Sequence, residues 1–308
     1  MTALLLRLLA PLPALLLSPL LLGLIGRVKA FVAGRQGPPL LQPYRELRRL
    51  LGKGEVVSTT TTGLFQLGPL VALAALLASL LLLPAGPLPA ALSFPGDFLL
   101  LAYLLALARF GTLVAALDTG SSFEGMGASR EAAFSALAEP AFFLVLCGLA
   151  WARGSLSLGG VLAGGTAETL ASQAPALGLL CAALFLVLLA ENSRIPVDDP
   201  ATHLELTMIH EVMVLDHSGP LFGVVLYGAS LKLWIFASLL VSLWLPAGLP
   251  LAVSVLLYAG ALALTAVAVG VVESTIARMR LSRVPRFLLL AGVLSGLGCL
   301  VLFSGGRP

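Results

Sequence analysis

The sequence predicts an all-α integral membrane protein of about eight transmembrane helices, with short amphipathic helices on its inner face. Three observations lead there: 59% hydrophobic against 11% charged residues, a mean hydropathy of +1.04, and apolar runs long enough to cross a hydrocarbon core of about 30 Å. So little polarity cannot solvate the surface of a globular chain of 308 residues, whereas a bilayer requires little.

At a rise of 1.5 Å per residue, roughly 20 helical residues make one crossing. The first run, about 8–26, is longer than the apolar core of a signal peptide. It shows no A-x-A-like cleavage site and is followed by Arg27, Lys29 and Arg35, so it is expected to be an anchor. An inner-face segment, 27–64, follows. Within it Gln42-Pro43-Tyr44-Arg45-Glu46-Leu47-Arg48-Arg49-Leu50-Leu51 alternates apolar and basic residues at helical spacing, as an interfacial helix does. Further crossings are expected at about 65–84, 98–117, 132–151, 174–190, 220–245, 249–272 and 286–304, with inner polar segments at 118–131, 191–219 and 273–285. These form one transmembrane domain over 1–308, with no soluble domain, linker or repeat.

Charge sets the orientation. With the N-terminus outside, the inner segments collect thirteen basic residues, from Arg27 to Arg286, and leave only Arg7, Arg153 and Arg307 outside. Both termini are therefore expected outside. The net charge of +3 and pI near 9.0 follow from that topology, and nucleic acid is not an expected partner. Cys147, Cys181 and Cys299 stand singly in apolar runs and cannot assemble an iron–sulfur cluster from neighbours. No glycine-rich nucleotide fingerprint is present, and the glycines within apolar runs suit close helix contact.

The chemistry concentrates after the fifth crossing, in Glu191-Asn192-Ser193-Arg194-Ile195-Pro196-Val197-Asp198-Asp199-Pro200-Ala201-Thr202-His203-Leu204-Glu205-Leu206-Thr207-Met208-Ile209-His210-Glu211. Pro196 stops the fifth helix, and a second helix is expected from Asp199, capped by that carboxylate with Pro200 at its first position. On it Asp199, His203, Thr207 and His210 share one face, with Glu205 and Glu211 on the flanks. Carboxylates and imidazoles beside apolar helices can pass protons; a solvated loop that binds a partner subunit is the plainer alternative. Metal binding is disfavoured, because His203, His210 and His217 are spaced two turns apart.

Glu139 is expected roughly 12 Å into the fourth helix, before Pro140. Arg109 and Lys232 lie within the third and sixth helices, and Asp118, Glu191 and Glu273 at inner helix ends. Such charges must be paired or line a hydrated cavity. A structural Glu139–Arg109 ion pair and a proton route both satisfy that demand.

The 191–211 segment, with Asp216-His217-Ser218-Gly219, resembles the signature of the complex I subunit 1 family, most closely its branch in membrane-bound group 4 [NiFe] hydrogenases. Quinone-reducing members show a shorter Glu-x-x-Arg-x-Pro-Phe-Asp run, from which Ile195-Pro196-Val197-Asp198 departs. Gly120-Ser121-Ser122-Phe123-Glu124-Gly125-Met126-Gly127-Ala128-Ser129-Arg130-Glu131 resembles an inner loop of the same family. The resemblance implies a subunit of the prokaryotic cytoplasmic membrane with no redox centre or cofactor of its own. It also implies a docked peripheral arm of iron–sulfur and hydrogenase-type large and small subunits, and antiporter-like membrane neighbours that move protons or sodium. Iron–sulfur clusters and a NiFe centre, or a quinone, would then belong to the partners.

On that resemblance Glu139, Glu191, Asp198, Asp199, Glu205 and Glu211 match acidic positions of the family's path, and with His203, His210, Asp118, Lys232 and Glu273, singled out above from the residues themselves, they make up the expected proton path. Arg130 and Arg194 match the family's inner-loop arginines, and the expected docking face joins them to Arg45, Arg48, Arg49, Glu124 and Asp216 of the inner segments. The quinone chamber of a complex I-type NADH-quinone oxidoreductase is the alternative. A stand-alone prenyltransferase using Asp198-Asp199 for Mg²⁺ needs a second acidic motif, and 274–284 offers Arg278, Arg280 and Arg283 instead.

Overall fold

The structure is a computed structural model and describes residues 7, 9–199 and 207–304. His203 and Glu205 lie outside the described residues. The helices are α1 (Leu12–Val32), α2 (Gln42–Leu51), α3 (Gly63–Leu82), α4 (Asp97–Asp118), α5 (Ser122–Arg153), α6 (Leu158–Val161), α7 (Ala167–Ser172), α8 (Ala174–Glu191), α9 (Gly219–Ser242), α10 (Leu251–Thr275) and α11 (Val284–Ser304). Short 3₁₀ turns cover Glu211–Val214 and Leu281–Arg283. Among the described residues there is no strand, and eight helices are long and apolar enough to span a membrane. Leu16, Tyr103, Phe110, Leu256, Leu264 and Leu300, each more than 60% exposed, contribute to an apolar belt that only lipid or other apolar helices can cover.

The eight spans alternate in direction, and their polar connections are tied together at one end. The Asp118 carboxylate, closing α4, accepts the amide and hydroxyl of Thr62 (both 2.7 Å) and so caps α3. The Ser218 hydroxyl bonds both the amide and carbonyl of Val56, and the Met279 amide donates to the Pro196 carbonyl. This end, here termed the basic face, also carries the amphipathic helix α2 at Gln42–Leu51, the residues its sequence pattern marks. At the opposite end buried Asp97 accepts amides of Phe94 and Leu158, joining α4 to α6.

Three expectations need correction. Residues 122–131 are not a loop: α5 starts at Ser122, because Gly120 (φ +69°) turns the chain and the small residues Gly127 and Ala128 then pack inward. A helix running from Asp199 through His210 is not seen in its described part. Thr207–His210 is turn and bend, since the amides of Ile209 and His210 donate to Asp198 Oδ2 (3.1 and 3.0 Å) rather than to helical carbonyls. The first span lies at Leu12–Val32, further along the chain than 8–26, because Arg27 and Lys29 are absorbed into the helix. Lys29 Nζ meets Glu273 Oε2 of α10 at 2.8 Å.

Helix α9 is the most buried of the eight and forms the axis of the bundle, presenting Leu231, Trp234, Ile235 and Phe236 to its neighbours. Polar pairs fix its depth: Ser230 bonds Ser18 of α1 at 3.2 Å, and Tyr258 of α10 donates to Ser238 at 2.7 Å.

Just before α9, His217 is buried and stacked on Phe65, with ring centroids 4.1 Å apart. Burial pushes its imidazole below the ordinary value, outweighing the neighbouring Asp216 carboxylate. The unfolded chain binds a proton near pH 6.5, and the folded chain binds it only at lower pH. Below about 6.5 the unfolded state therefore gains protons first, and stability falls as pH falls. Denaturation midpoints measured in detergent between about pH 7.5 and 5.5 are expected to show this slope. They should lose part of it in His217→Gln; an unchanged slope there refutes the assignment.

Candidate functional site

Five charged side chains from α4, α5, α8 and α9 meet within the bundle. Arg109 of α4 is the centre: Nη1 contacts Glu139 Oε1 at 2.5 Å, Nη2 contacts Glu191 Oε1 at 2.6 Å, and Nε lies 3.6 Å from Glu131 Oε1. Lys232 Nζ, from α9, closes on Glu191 Oε2 at 2.9 Å. A guanidinium suits this position because its planar fork directs donors to several acceptors at once. The Arg109, Glu191 and Lys232 side chains are 7%, 6% and 16% exposed, whereas Glu139 is 41% exposed and opens to the flank of α5.

Two charges are positive and three are negative, so with every group ionised the cluster carries one excess negative charge. Burying that charge in apolar surroundings is expensive, and one bound proton removes it. A cavity of about 90 Å³ lies on the basic-face side of the cluster, lined by Arg109, Glu131, Glu191, Arg194, His210 and Lys232 together with apolar groups of α3 and α9. It is polar on one wall and has room for several waters. A smaller one, about 50 Å³, is lined by Arg109, Glu139 and Glu191 with Tyr103, Phe142, Phe143 and Phe236.

Between the cluster and the basic face runs a second tier. Glu273, its side chain fully buried, pairs with Lys29 and with Arg194 Nη1 (3.3 Å). Asp198 is 2% exposed; besides the two amides already described it accepts the Asp199 amide (2.9 Å) and Arg278 Nη2 (2.8 Å). Arg130 Nη1 donates to the Met208 carbonyl at 2.8 Å.

The expected residues thus separate into groups. Glu139, Glu191, Lys232 and His210 converge on the two cavities. Asp198, Asp118 and Glu273 hold segments of chain together. Asp199 and Glu211 are half-buried on the basic face. Of the docking set, Arg45, Arg48, Arg49 and Asp216 are exposed, while Arg130 and Arg194 are half-buried. Glu124 is buried and accepts the Asp216 amide at 3.2 Å. Glu131 was missed as a site residue because 118–131 reads as a loop. Once α5 is extended it stands two turns before Glu139, on the same side of the helix.

Comparison with known proteins gives a consistent picture. The NADH dehydrogenase family profile matches residues 5–304. Formate hydrogenlyase subunit 4 of Escherichia coli (strain K12) is 33% identical, over 87% of this chain and 89% of the relative. Hydrogenase-4 component C of the same organism is 34% identical, over 76% and 73%. A subunit of the NADH-quinone oxidoreductase of Verminephrobacter eiseniae is 28% identical, over 73% and 66%. Among solved structures, a chain of the membrane-bound sulfane sulfur reductase, an archaeal respiratory membrane complex, superimposes with a TM-score of 0.83. That likeness covers 98% of this chain and all of the other at 21% identity, and it speaks for the fold. With its eight spans and a family match over almost its full length, the chain belongs to the NADH dehydrogenase family, among the membrane subunits of hydrogenase-type and complex I-type complexes.

Proposed function

We propose that the chain is the anchor and ion-coupling subunit of a formate hydrogenlyase-like, hydrogenase-type complex. The observation that carries this reading is the charged cluster of Arg109, Lys232, Glu131, Glu139 and Glu191, buried except at Glu139. It holds three carboxylates against two cations, borders the central cavity on the side of His210, and ends in Glu139, open to the flank of α5. A proton entering past His210 reaches Glu131 and Glu191 first. It leaves by Glu139, the member open to the flank, where antiporter-like membrane subunits would receive the effect as proton or sodium movement.

On this reading the basic face is the cytoplasmic side of the cell membrane and the termini are outside, which the distribution of arginine and lysine supports. A peripheral arm of iron–sulfur and hydrogenase-type subunits docks there against exposed Arg45, Arg48, Arg49 and Asp216. Those subunits hold the redox centres, and this chain contributes positioned charge. The test is the ratio of ions moved to substrate turned over in the assembled complex. Glu139→Gln and Glu205→Gln should each retain turnover and lose most of the ion movement; full coupling in both rejects the reading.

A quinone is the second candidate for the central cavity, because Pro69, Leu73, Leu76, Val224 and Val225 make one wall apolar and several relatives are named as subunits of an NADH-quinone oxidoreductase. Turnover blocked by quinone-site inhibitors supports that reading, and insensitivity supports the first.

A further inference from the structure

The geometry points to Arg278 as a positioning residue that acts through Asp198 to hold His210 against the mouth of the central cavity. Arg278 belongs to the connection between α10 and α11, away from the buried cluster. Its Nη2 contacts Asp198 Oδ1 at 2.8 Å and also donates to the carbonyl of Thr207, while Nη1 lies 3.3 Å from the Thr207 hydroxyl. Next to it the Met279 amide donates to the Pro196 carbonyl at 2.9 Å. One short stretch of the α10–α11 connection therefore grips both sides of the polar segment.

Asp198 converts that grip into a fixed loop end. Among the described residues its donors are the amides of Asp199, Ile209 and His210 and the Arg278 guanidinium, shared over both carboxylate oxygens. Hydrogen bonds to an ionised acceptor are the strong kind, and at 2% exposure Asp198 is cut off from bulk solvent when a donor is lost. Removing Arg278 leaves the Asp198 charge held by amides alone, which favours opening of the segment to hydrate it. The first backbone released is that of Ile209 and His210.

His210 lines the central cavity, beside Asn192, Ser193 and Arg194. Arg130 secures Met208, two residues before His210, from the α5 side. Thr207 and Met208 are thus fixed from two directions, by an arginine of the α10–α11 connection and by one of α5, and His210 follows shortly after them, held through Asp198. The consequence for function rests on the proton-coupling reading above; the positioning itself does not.

The test has two arms, both on the purified complex. In hydrogen exchange read by mass spectrometry, Arg278→Ala should speed exchange at Ile209 and His210 about tenfold or more, with α3 and α9 unchanged. Arg278→Lys should restore most of the protection, because an ammonium reaches Asp198 Oδ1 even though it cannot also span to Thr207. Unchanged exchange at these two amides overturns the proposal, and so does faster exchange spread evenly over the bundle.

In the second arm, ions moved per turnover are compared for Arg278→Ala, His210→Gln and the double variant. Both singles should lower the ratio several-fold, with the double no lower than the worse single. Independent, multiplying losses overturn the claim that Arg278 acts through His210. Faster local exchange with full pumping in all three variants upholds the positioning and overturns the coupling reading instead.

Discussion

Replacing Arg109 by methionine lowers the stability of the chain by about 3–5 kcal/mol, the cost of breaking a buried ion pair from one side. The shape of the side chain is roughly kept, so the loss is electrostatic. Glu139 and Glu131 each lose the contact that Arg109 supplies, and Glu191 keeps only Lys232. The carboxylates left behind must then take up protons or draw water into the bundle. Arg109→Lys is expected to lose less, about 1–3 kcal/mol, because one ammonium cannot serve three carboxylates. Adding Glu139→Gln and Glu131→Gln to Arg109→Met should recover part of the deficit, since an amide needs no counter-charge. Unfolding in detergent, followed by helical signal against denaturant, measures all of these. A parent-like midpoint for Arg109→Met would show that the cluster is hydrated enough to stand without its centre.

The spans were legible because hydropathy is additive along a helix: each apolar run is long enough to cross by itself, whatever it packs against. Helix α2 was legible at its true ends for a related reason, since its alternation of leucine and arginine is a local pattern. Legibility failed where tertiary contacts decide the backbone. Gly120 turns the chain and Ser122 begins a helix ten residues before hydropathy marks one. The polarity of Glu124 and Glu131 reads as a loop, yet both carboxylates find partners inside the assembled fold. Asp198 shows the same limit. As sequence it is one more acid in a titratable run, and only the fold shows that it gathers the amides of residues eleven and twelve positions away. The Arg109–Glu139 pairing was foreseeable as one of two readings, because an ionised group within a span demands a partner. That Arg109 serves three acids at once was not, as it depends on how α4, α5 and α8 are spaced.

That spacing leads to the second large effect, at Gly111. One half-turn beyond Arg109, α4 crosses α3 with Gly111 against Gly68, and a Cβ placed on Gly111 would stand 2.7 Å from the Gly68 carbonyl oxygen and 3.4 Å from the Ala72 amide nitrogen. Both obstacles are backbone, so no side-chain rotation relieves the clash and the helices must separate. In an unobstructed helix, glycine to alanine gains up to about 1 kcal/mol of intrinsic propensity. Gly296 of α11, whose Cβ would meet nothing within 4 Å, should show that gain. Gly111→Ala should reverse the sign and cost about 1–3 kcal/mol as overpacking, and Gly111→Leu should cost more. The consequence reaches the site, because Arg109 rides on the same turn of α4. Moving that helix away from α3 shifts Arg109 relative to Glu139 and Glu191 together, so stability and ion coupling should fall in parallel across Gly111→Ala and Gly111→Leu. In Gly111→Ala the cluster keeps every charged group, so lost coupling there could come only from geometry. Unimpaired coupling in a measurably destabilised Gly111→Ala would show that the cluster tolerates displacement of its central arginine, and would remove close helix approach from the mechanism.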